Sequence, residues 1–387
     1  MYYHYGLSEE QEMFRRTLRR FCEKELAPKA SQWDEMQEFP WENVDKMKEL
    51  GLWGLTIPEA YGGSGADMVT YVTAVIEIGR VCGATAVTFI IHNGISTKSI
   101  WNFGTEEQRK KYLPPAATGK RLMAWGQTEP CCGTDATSMR STAVLQGDHY
   151  ILNGTKVFIS TGEVAEVYVI WAKTDPRATK KSRGLSCFIV EKGFPGFTFG
   201  KKEDKMGLRG SPTVELIFED CLVPKENLLL KHPHAFGRMM HIFNEERLGN
   251  SSCCIGSAEA AFEYAIKYAQ QREAFGKKVS QFQGIQWMLA DMAIHIETAK
   301  LLLYKTARMA DDGIPIIKES CMTKIVANEM SQKVTNMAVQ LLGGYGYMKD
   351  YPVERYFRDS RGLSFGGGTP QILRSVLASQ LLKDHVV

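Results

Sequence analysis

The chain has 387 residues, 44% of them apolar and 24% charged, a balance that fits a soluble globular protein with material for a sizeable core and two or three domains. Its 47 basic and 44 acidic residues leave a net charge of +3, which excludes a broad electrostatic footprint for nucleic acid or anionic membrane, so a polyanionic ligand has to be held by local groups. No apolar run approaches the roughly 18 residues of a membrane span. Residues Met1 to Glu10 lack the basic and apolar regions of a signal peptide, so a cytoplasmic location is expected. The nine cysteines include the adjacent pairs Cys131-Cys132 and Cys253-Cys254. They show no C-x-x-C spacing and no Cys/His cluster of zinc-ligand type, so neither a disulfide framework nor a metal site is expected.

From Ser8 to about Gly119 the apolar period is helical. Ser8-Glu9-Glu10-Gln11 offers a capping box ahead of Met13, Leu18, Phe21 and Leu26, which recur roughly at helical spacing. Breaks fall at Pro58 and at Tyr61-Gly62-Gly63-Ser64-Gly65. Between about Leu122 and Pro233 short runs rich in β-branched and aromatic residues take over, among them Tyr150-Ile151-Leu152, Val167-Tyr168-Val169-Ile170 and Cys187-Phe188-Ile189-Val190. Turn signals such as Asn153-Gly154 separate them, as in a small sheet or barrel. After His234 the helical period returns, with Ala258, Ala261, Phe262, Ala265 and Ala269 on one face before Arg272. The order α, β, α predicts an α+β protein with domains at 1–121, 122–233 and 234–387. It argues against a doubly wound nucleotide-binding sheet, whose strands and helices alternate throughout.

No H-E-x-x-H, G-x-S-x-G or Walker signature occurs, which leaves metalloprotease, serine-hydrolase and P-loop chemistry without support. The glycines at Gly62 and in Gly343-Gly344-Tyr345-Gly346 neither follow a strand nor open a helix with phosphate-loop spacing, and taken alone they read as structural.

Five segments, weak singly, occur together in a telling order. Thr128-Glu129-Pro130-Cys131-Cys132-Gly133-Thr134-Asp135 resembles the T-E-P-x-x-G-S-D loop of the acyl-CoA dehydrogenase family, with Thr134 in place of serine. Gly154-Thr155-Lys156-Val157-Phe158-Ile159-Ser160 resembles the strand that sets an aromatic ring and a hydroxyl beside the flavin. Gln271-Arg272-Glu273-Ala274-Phe275-Gly276-Lys277, followed by Phe282-Gln283, resembles the segment that reaches across a dimer contact to a neighbour's FAD. Gln340-Leu341-Leu342-Gly343-Gly344-Tyr345-Gly346 resembles the family's Q-x-x-G-G-x-G helix end, and Arg355-Tyr356-Phe357-Arg358-Asp359 its continuation. Taken alone, Arg272 reads as a solvated helix-end cation and Phe158 as a core aromatic; five segments in one order reverse both readings.

The resemblance implies that family's fold: an N-terminal helical domain, a middle β-barrel or sheet, and a C-terminal four-helix bundle. It implies FAD as cofactor, with contacts from Trp125, Gln127, Thr128, Gly133, Thr134, Phe158, Ser160, Arg272, Phe275, Phe282, Gln283, Gln340, Gly343, Gly344, Thr369 and Gln371. The planar fork of Arg272 suits a pyrophosphate. An acyl-CoA site follows at Thr134, Asn244, Arg247, Gly366, Gly367 and Gly368. A homotetramer built as a dimer of dimers is implied too, with electron-transferring flavoprotein as the electron acceptor.

One segment departs from the family pattern. At Phe365-Gly366-Gly367-Gly368-Thr369-Pro370-Gln371-Ile372 most members carry a Tyr-Glu-Gly-Thr type sequence whose glutamate, aligned with Gly367, removes the α-proton. Glycine cannot be a base. Asn244-Glu245-Glu246-Arg247-Leu248 resembles the helix segment from which the long-chain and isovaleryl-CoA dehydrogenase branches supply it. The catalytic base is therefore expected at Glu246, before the arginine, and not at Glu245, which points about 100° away. The expected reaction takes the α-proton to Glu246 and the β-hydrogen as hydride to flavin N5, with donors to the thioester oxygen stabilising the enolate. Burial in the acyl slot is expected to raise the proton affinity of Glu246. Gly366 and Gly367 replace an aromatic and a carboxylate, which implies a wider slot and a branched, cyclic, aryl-bearing or otherwise bulky acyl group. An enoyl-CoA reductase running the reaction backwards uses the same residues and stays open. A flavin monooxygenase needs no Glu-Arg segment, an acyl-CoA oxidase usually has an extra C-terminal region, and a non-catalytic flavin or CoA scaffold has no use for Glu246.

Overall fold

A computed structural model describes residues 5–384. The first helices are α1 (Glu9–Phe21), α2 (Ala30–Met36), α3 (Trp41–Glu49), α4 (Met68–Gly79), α5 (Gly83–Phe89), α6 (Thr97–Phe103) and α7 (Glu106–Ala117). The expected capping box opens α1: Ser8 N–H donates to Gln11 Oε1 at 3.0 Å and Gln11 N–H to Ser8 Oγ at 3.1 Å, satisfying two end donors at once. A wide π turn at Ile90–Ser96 joins α5 to α6.

The middle strands are β1 (Met123–Gly126), β2 (Thr142–Gln146), β3 (His149–Ser160), β4 (Val167–Lys173), β5 (Leu185–Glu191), β6 (Phe197–Lys202), β7 (Thr213–Pro224) and β8 (Leu228–Leu230). They form one sheet in the order β6-β7-β3-β2-β4-β5-β8, with β1 added in parallel on β4. Strand β4 is buried on both faces because its alternating side chains serve two cores. Val167, Val169 and Trp171 pack towards Leu113, Ala116 and Ile242 of the helices, whereas Tyr168, Ile170 and Ala172 pack among residues of the other strands.

One expected turn is corrected. Asn153-Gly154 does not separate two strands but lies inside β3, where the pairing with β7 shifts register between Leu152 and Gly154. Gly154 has φ +139°, and a Cβ there would come within 2.2 Å of Ser141 Oγ, so the glycine marks a bulge where another chain segment approaches closely. The hairpin turn falls instead at Gly147, φ +59°, between β2 and β3.

Beyond the sheet come α8 (Ala235–Gln271), the small hairpin β9 (Glu273–Ala274) and β10 (Lys277–Lys278), α9 (Gln283–Asp311), α10 (Ile317–Leu342), α11 (Val353–Gly362) and α12 (Pro370–Asp384). The apolar stripe of Ala258, Ala261, Ala265 and Ala269 is fully buried and joins residues of α1, α4 and α9 in one core. Small residues bring α4 and α8 together: a Cβ on Gly256 would come within 2.3 Å of Ile76 O. The fold is thus α+β, with helices at both ends of the chain around a β-sheet unit. Among the described residues no helix is long and apolar enough to cross a membrane.

Candidate active site

The long helix α8 carries Glu245 and Glu246 side by side, and the structure sends them to different partners. Glu245 Oε2 accepts from Lys98 Nζ of α6 at 2.5 Å. Glu246 turns towards the loop of residues 363–368, and its Oε2 is buried without a hydrogen-bond partner. Glu246 as a whole keeps some exposed surface, but protein atoms enclose the carboxyl, and that enclosure sets its proton affinity. Burial raises it above the ordinary carboxylate range, while Lys324 and then Arg247 pull it down without cancelling the rise. A buried carboxyl with a raised proton affinity is what a general base working near neutrality requires.

Gly367 faces this carboxyl directly. Its φ is +67°, and a Cβ built on it would lie 2.2 Å from Glu246 Oε2. The side-chain space at Gly367 is therefore taken by a carboxylate from the helix. The expectation that Gly367 widens the substrate slot is corrected to that extent. At Gly366, by contrast, a Cβ would meet nothing within 4 Å.

Asn244 and Arg247, expected against the substrate, point into the protein. Both are buried, with Arg247 Nη1 donating to Asn244 Oδ1 at 2.7 Å and Nε to Gly367 O at 3.3 Å. Arg247 holds the loop, and Asn244 holds Arg247. Gly368 O accepts from Lys324 Nζ at 3.0 Å. Thr369 caps α12 through a 3.4 Å contact from Ile372 N–H to its Oγ1, and Gln371 is exposed in the first turn.

The residues expected beside a flavin gather around β1 and β3. The half-buried ring of Trp125 meets Phe243 edge-on, centroids 5.5 Å apart. Val157 N–H donates to Thr128 O at 2.9 Å, so the Thr128 loop and the Phe158 strand are stitched together. Phe158 has φ +59° where β3 and β7 slip register between Lys156 and Ile159, and its side chain is 65% exposed. An aromatic held in a strained bulge with its ring uncovered is free to meet a ligand or another chain. Ser160 is half-buried two residues on, while Gly133, Thr134 and the neighbouring Cys131 are exposed.

Sequence reasoning gave no role to the ion pair that fixes this wall. Lys156 Nζ and Glu129 Oε1 lie 2.6 Å apart with both side chains buried, and Glu129 also accepts from Arg140 N–H at 2.5 Å and Ser141 N–H at 3.0 Å. Burial works to discharge Lys156, and Glu129 opposes it; the Lys156 charge and the Arg140 N–H in turn hold Glu129 below the usual range despite its own burial. Both residues sit inside recognised segments, but nothing in a sequence pairs positions 27 apart. Cys131 and Cys132 come within 4.8 Å of Glu129, whose oxygens those three donors already occupy.

A second group forms far from the first. Arg272 lines a cleft of ≈ 510 Å³ with Tyr268, Val279, Leu341, Leu342, Gly343, Gly344, Tyr345 and Met348, so two of the recognised segments form walls of one groove. Phe275, 96% exposed, meets Phe282 edge-on at 6.1 Å. Gln283 and Gln340 are exposed nearby in sequence. Arg272 follows Glu246 by 26 residues along α8, roughly 39 Å of helix. The two groups are therefore well separated along a single chain.

The aromatic wall with its stitched hydroxyl loop and the arginine-lined glycine cleft fit the two ends of FAD. Three adjoining stretches of the chain match family descriptions: "Acyl-CoA dehydrogenase, N-terminal domain" at residues 8–120, "middle domain" at 124–221 and "C-terminal domain" at 236–382. The chain is 43% identical to the short-chain specific acyl-CoA dehydrogenase of Clostridium acetobutylicum, over 98% of this chain and 100% of that one. It is also 43% identical to a subunit of the caffeyl-CoA reductase-Etf complex of Acetobacterium woodii, over 97% of this chain and 99% of that one. The structure of butyryl-CoA dehydrogenase from Megasphaera elsdenii superposes with a TM-score of 0.94 at 39% identity, covering 99% of this chain and 100% of that chain.

Proposed function

The chain belongs to the acyl-CoA dehydrogenase family, and on that premise we propose that it oxidises the Cα–Cβ bond of an acyl-CoA thioester to the 2-enoyl-CoA with Glu246 as the base. The observation that carries the reading is the Glu246 carboxylate standing in the side-chain space of Gly367. FAD, when bound, supplies the flavin that accepts the β-hydrogen as hydride. Glu246 takes the α-proton; its enclosed Oε2, with no partner to give up, needs no rearrangement before accepting it. Arg247 holds the Gly367 carbonyl and so pins the loop residue whose own N–H would serve the thioester oxygen. Thr128 and Phe158, fixed by the Glu129–Lys156 pair, keep the aromatic wall in place and exclude water from the developing enolate.

Electrons then leave to electron-transferring flavoprotein, a reading supported by the similarity to a subunit of an Etf complex. The separation of the two residue groups along α8 supports an oligomer in which Arg272 completes a neighbour's FAD site, built as a dimer of dimers. For the acyl group, the open side at Gly366 supports width there, for a branched or aryl-bearing chain. The short-chain and butyryl-CoA relatives support a slim one. The reverse reaction, reduction of an enoyl-CoA, is the second reading, favoured by the caffeyl-CoA reductase relative.

Anaerobic stopped-flow reduction of the bound flavin by a panel of acyl-CoA thioesters tests the proposal. Glu246→Gln keeps the FAD but slows reduction by about 10² to 10⁴-fold, the range of a lost general base, whereas Glu245→Gln loses far less. A fast Glu246→Gln enzyme, or a dead Glu245→Gln one, overturns the assignment.

A further inference from the structure

We propose that Lys324 is a positioning residue for the base: its buried ammonium straps both ends of the 363–368 loop and supplies the counter-charge that keeps the Glu246 carboxylate ionised. The inference rests on the reading of Glu246 as the base and adds to it.

Lysine is among the residues least often buried, yet Lys324 lies on the inward face of α10 with no exposed surface, beside buried Cys321, Ala327 and Asn328. Its Nζ donates to Asn328 Oδ1 at 2.9 Å, Gly368 O at 3.0 Å and Leu363 O at 3.4 Å. The last two carbonyls bracket the loop that carries Gly367. Leu363 O also accepts from Asn250 Nδ2 at 3.0 Å, and Asn328 Nδ2 donates to Asn250 Oδ1 at 3.1 Å, so the strap is braced from both α8 and α10. With Arg247 Nε on Gly367 O, cations hold the loop by three of its carbonyls.

These partners fill the ammonium's donors but carry no charge, and a buried cation without an opposite charge is costly. The groups around the base leave one candidate to balance it. Facing Glu246 are Arg247 of α8, Lys324 of α10 and Tyr71 of α4, and Tyr71 in turn also faces Glu245. Glu245 is taken by Lys98. Burial keeps the Tyr71 hydroxyl protonated, and it does the same for the thiols of Cys254 and Cys321, which with Arg247 and Glu246 face Lys324. Two cations and one carboxylate therefore share the enclosure. Burial pushes Lys324 down to about 8, and Glu246 is the main charge opposing that fall. The support is mutual, since Lys324 is the first group pulling Glu246 down. Removing the positive charge while keeping the strap thus makes Glu246 hold its proton to higher pH.

The test is the pH dependence of anaerobic flavin reduction in the holoenzyme, with butyryl-CoA or the best substrate of the panel, after FAD content has confirmed each variant's fold. Lys324→Gln retains a donor for the loop carbonyls but not the charge; its acid limb moves up by on the order of one pH unit, while the rate at high pH largely survives. Lys324→Arg keeps the charge and leaves the limb in place. Asn328→Asp, which gives the ammonium a nearer carboxylate, moves the limb up by a second route and decides the matter if Lys324→Gln does not fold. A Lys324→Gln enzyme slowed equally at every pH, or an Asn328→Asp enzyme with an unmoved limb, overturns the counter-charge role. The two readings fail separately: a fast Glu246→Gln enzyme removes the base assignment, whereas a dead one beside an unmoved limb in Lys324→Gln removes this inference alone.

Discussion

Glu246 Oε2 occupies the side-chain space of Gly367, 2.2 Å from where a Cβ would stand. One position cannot hold a side chain and the other its carboxylate together. Gly367→Ala is therefore expected to displace Glu246 and to strain a backbone at φ +67°, slowing flavin reduction on the order of 10²-fold, as about 1 Å of misplacement does. Gly366→Ala, where the added methyl meets open space, is the matched control. Stopped-flow traces of the two variants at equal FAD content check this, and equal rates would remove the steric coupling.

A Cβ on Gly366 meets open space, and on the proposed reading that is the side on which the acyl slot would be wide. Gly366→Tyr is expected to lower kcat/KM for branched and aryl thioesters more than for straight short ones, because added volume is felt most where the substrate is widest. A uniform loss across the panel would show that the slot is bounded elsewhere.

Arg272→Ala is expected to weaken FAD retention, since a charge-assisted contact is worth about 1.5 to 3 kcal/mol, which is roughly 10 to 150-fold in dissociation constant. The arginine belongs to a cleft roughly 39 Å along α8 from the base. Ultrafiltration of the FAD from dilute protein, with the oligomeric state measured alongside, separates the outcomes. A monomer that keeps FAD as tightly as the wild type would refute the shared site.

The layout of helix, strand and helix was legible because hydrophobic period and caps are local signals: Ser8 and Gln11 cap α1 as their spacing foretells. Asn153-Gly154 misled because the same dipeptide serves a hairpin turn and a bulge, and the deciding atom, Ser141 Oγ, belongs to another strand. The glutamate pair and the loop glycines were visible in the sequence, but not that the two meet in one space. Asn244 and Arg247 read as substrate ligands from their neighbourhood in sequence, yet helix geometry turns them inward. Lys324 went unnoticed; its one signal is a charge on the otherwise apolar and small-residue face of α10. Only packing tells whether such a lysine reaches solvent.

The last prediction ties the chemistry of Glu246 to stability. Burial raises its proton affinity in the folded state above that of the unfolded chain, so the folded protein holds the proton to higher pH. The contribution to stability is fully present below the unfolded carboxylate value of about 4.3 and is lost as pH rises through the folded value, where an ionised carboxylate must stay enclosed. Glu246→Gln has nothing to ionise and escapes that loss. Because the variant also leaves Lys324 without its counter-charge, the expected signature is a trend: the melting temperature of the variant relative to the wild type rises as pH goes from about 4 to about 8, while its flavin reduction is nearly abolished. Thermal melts of both holoenzymes across that range measure the trend. A fall over the same range would mean that Lys324 and Arg247 outweigh burial, and that the carboxylate is an ion-pair partner rather than a base held poised by its enclosure.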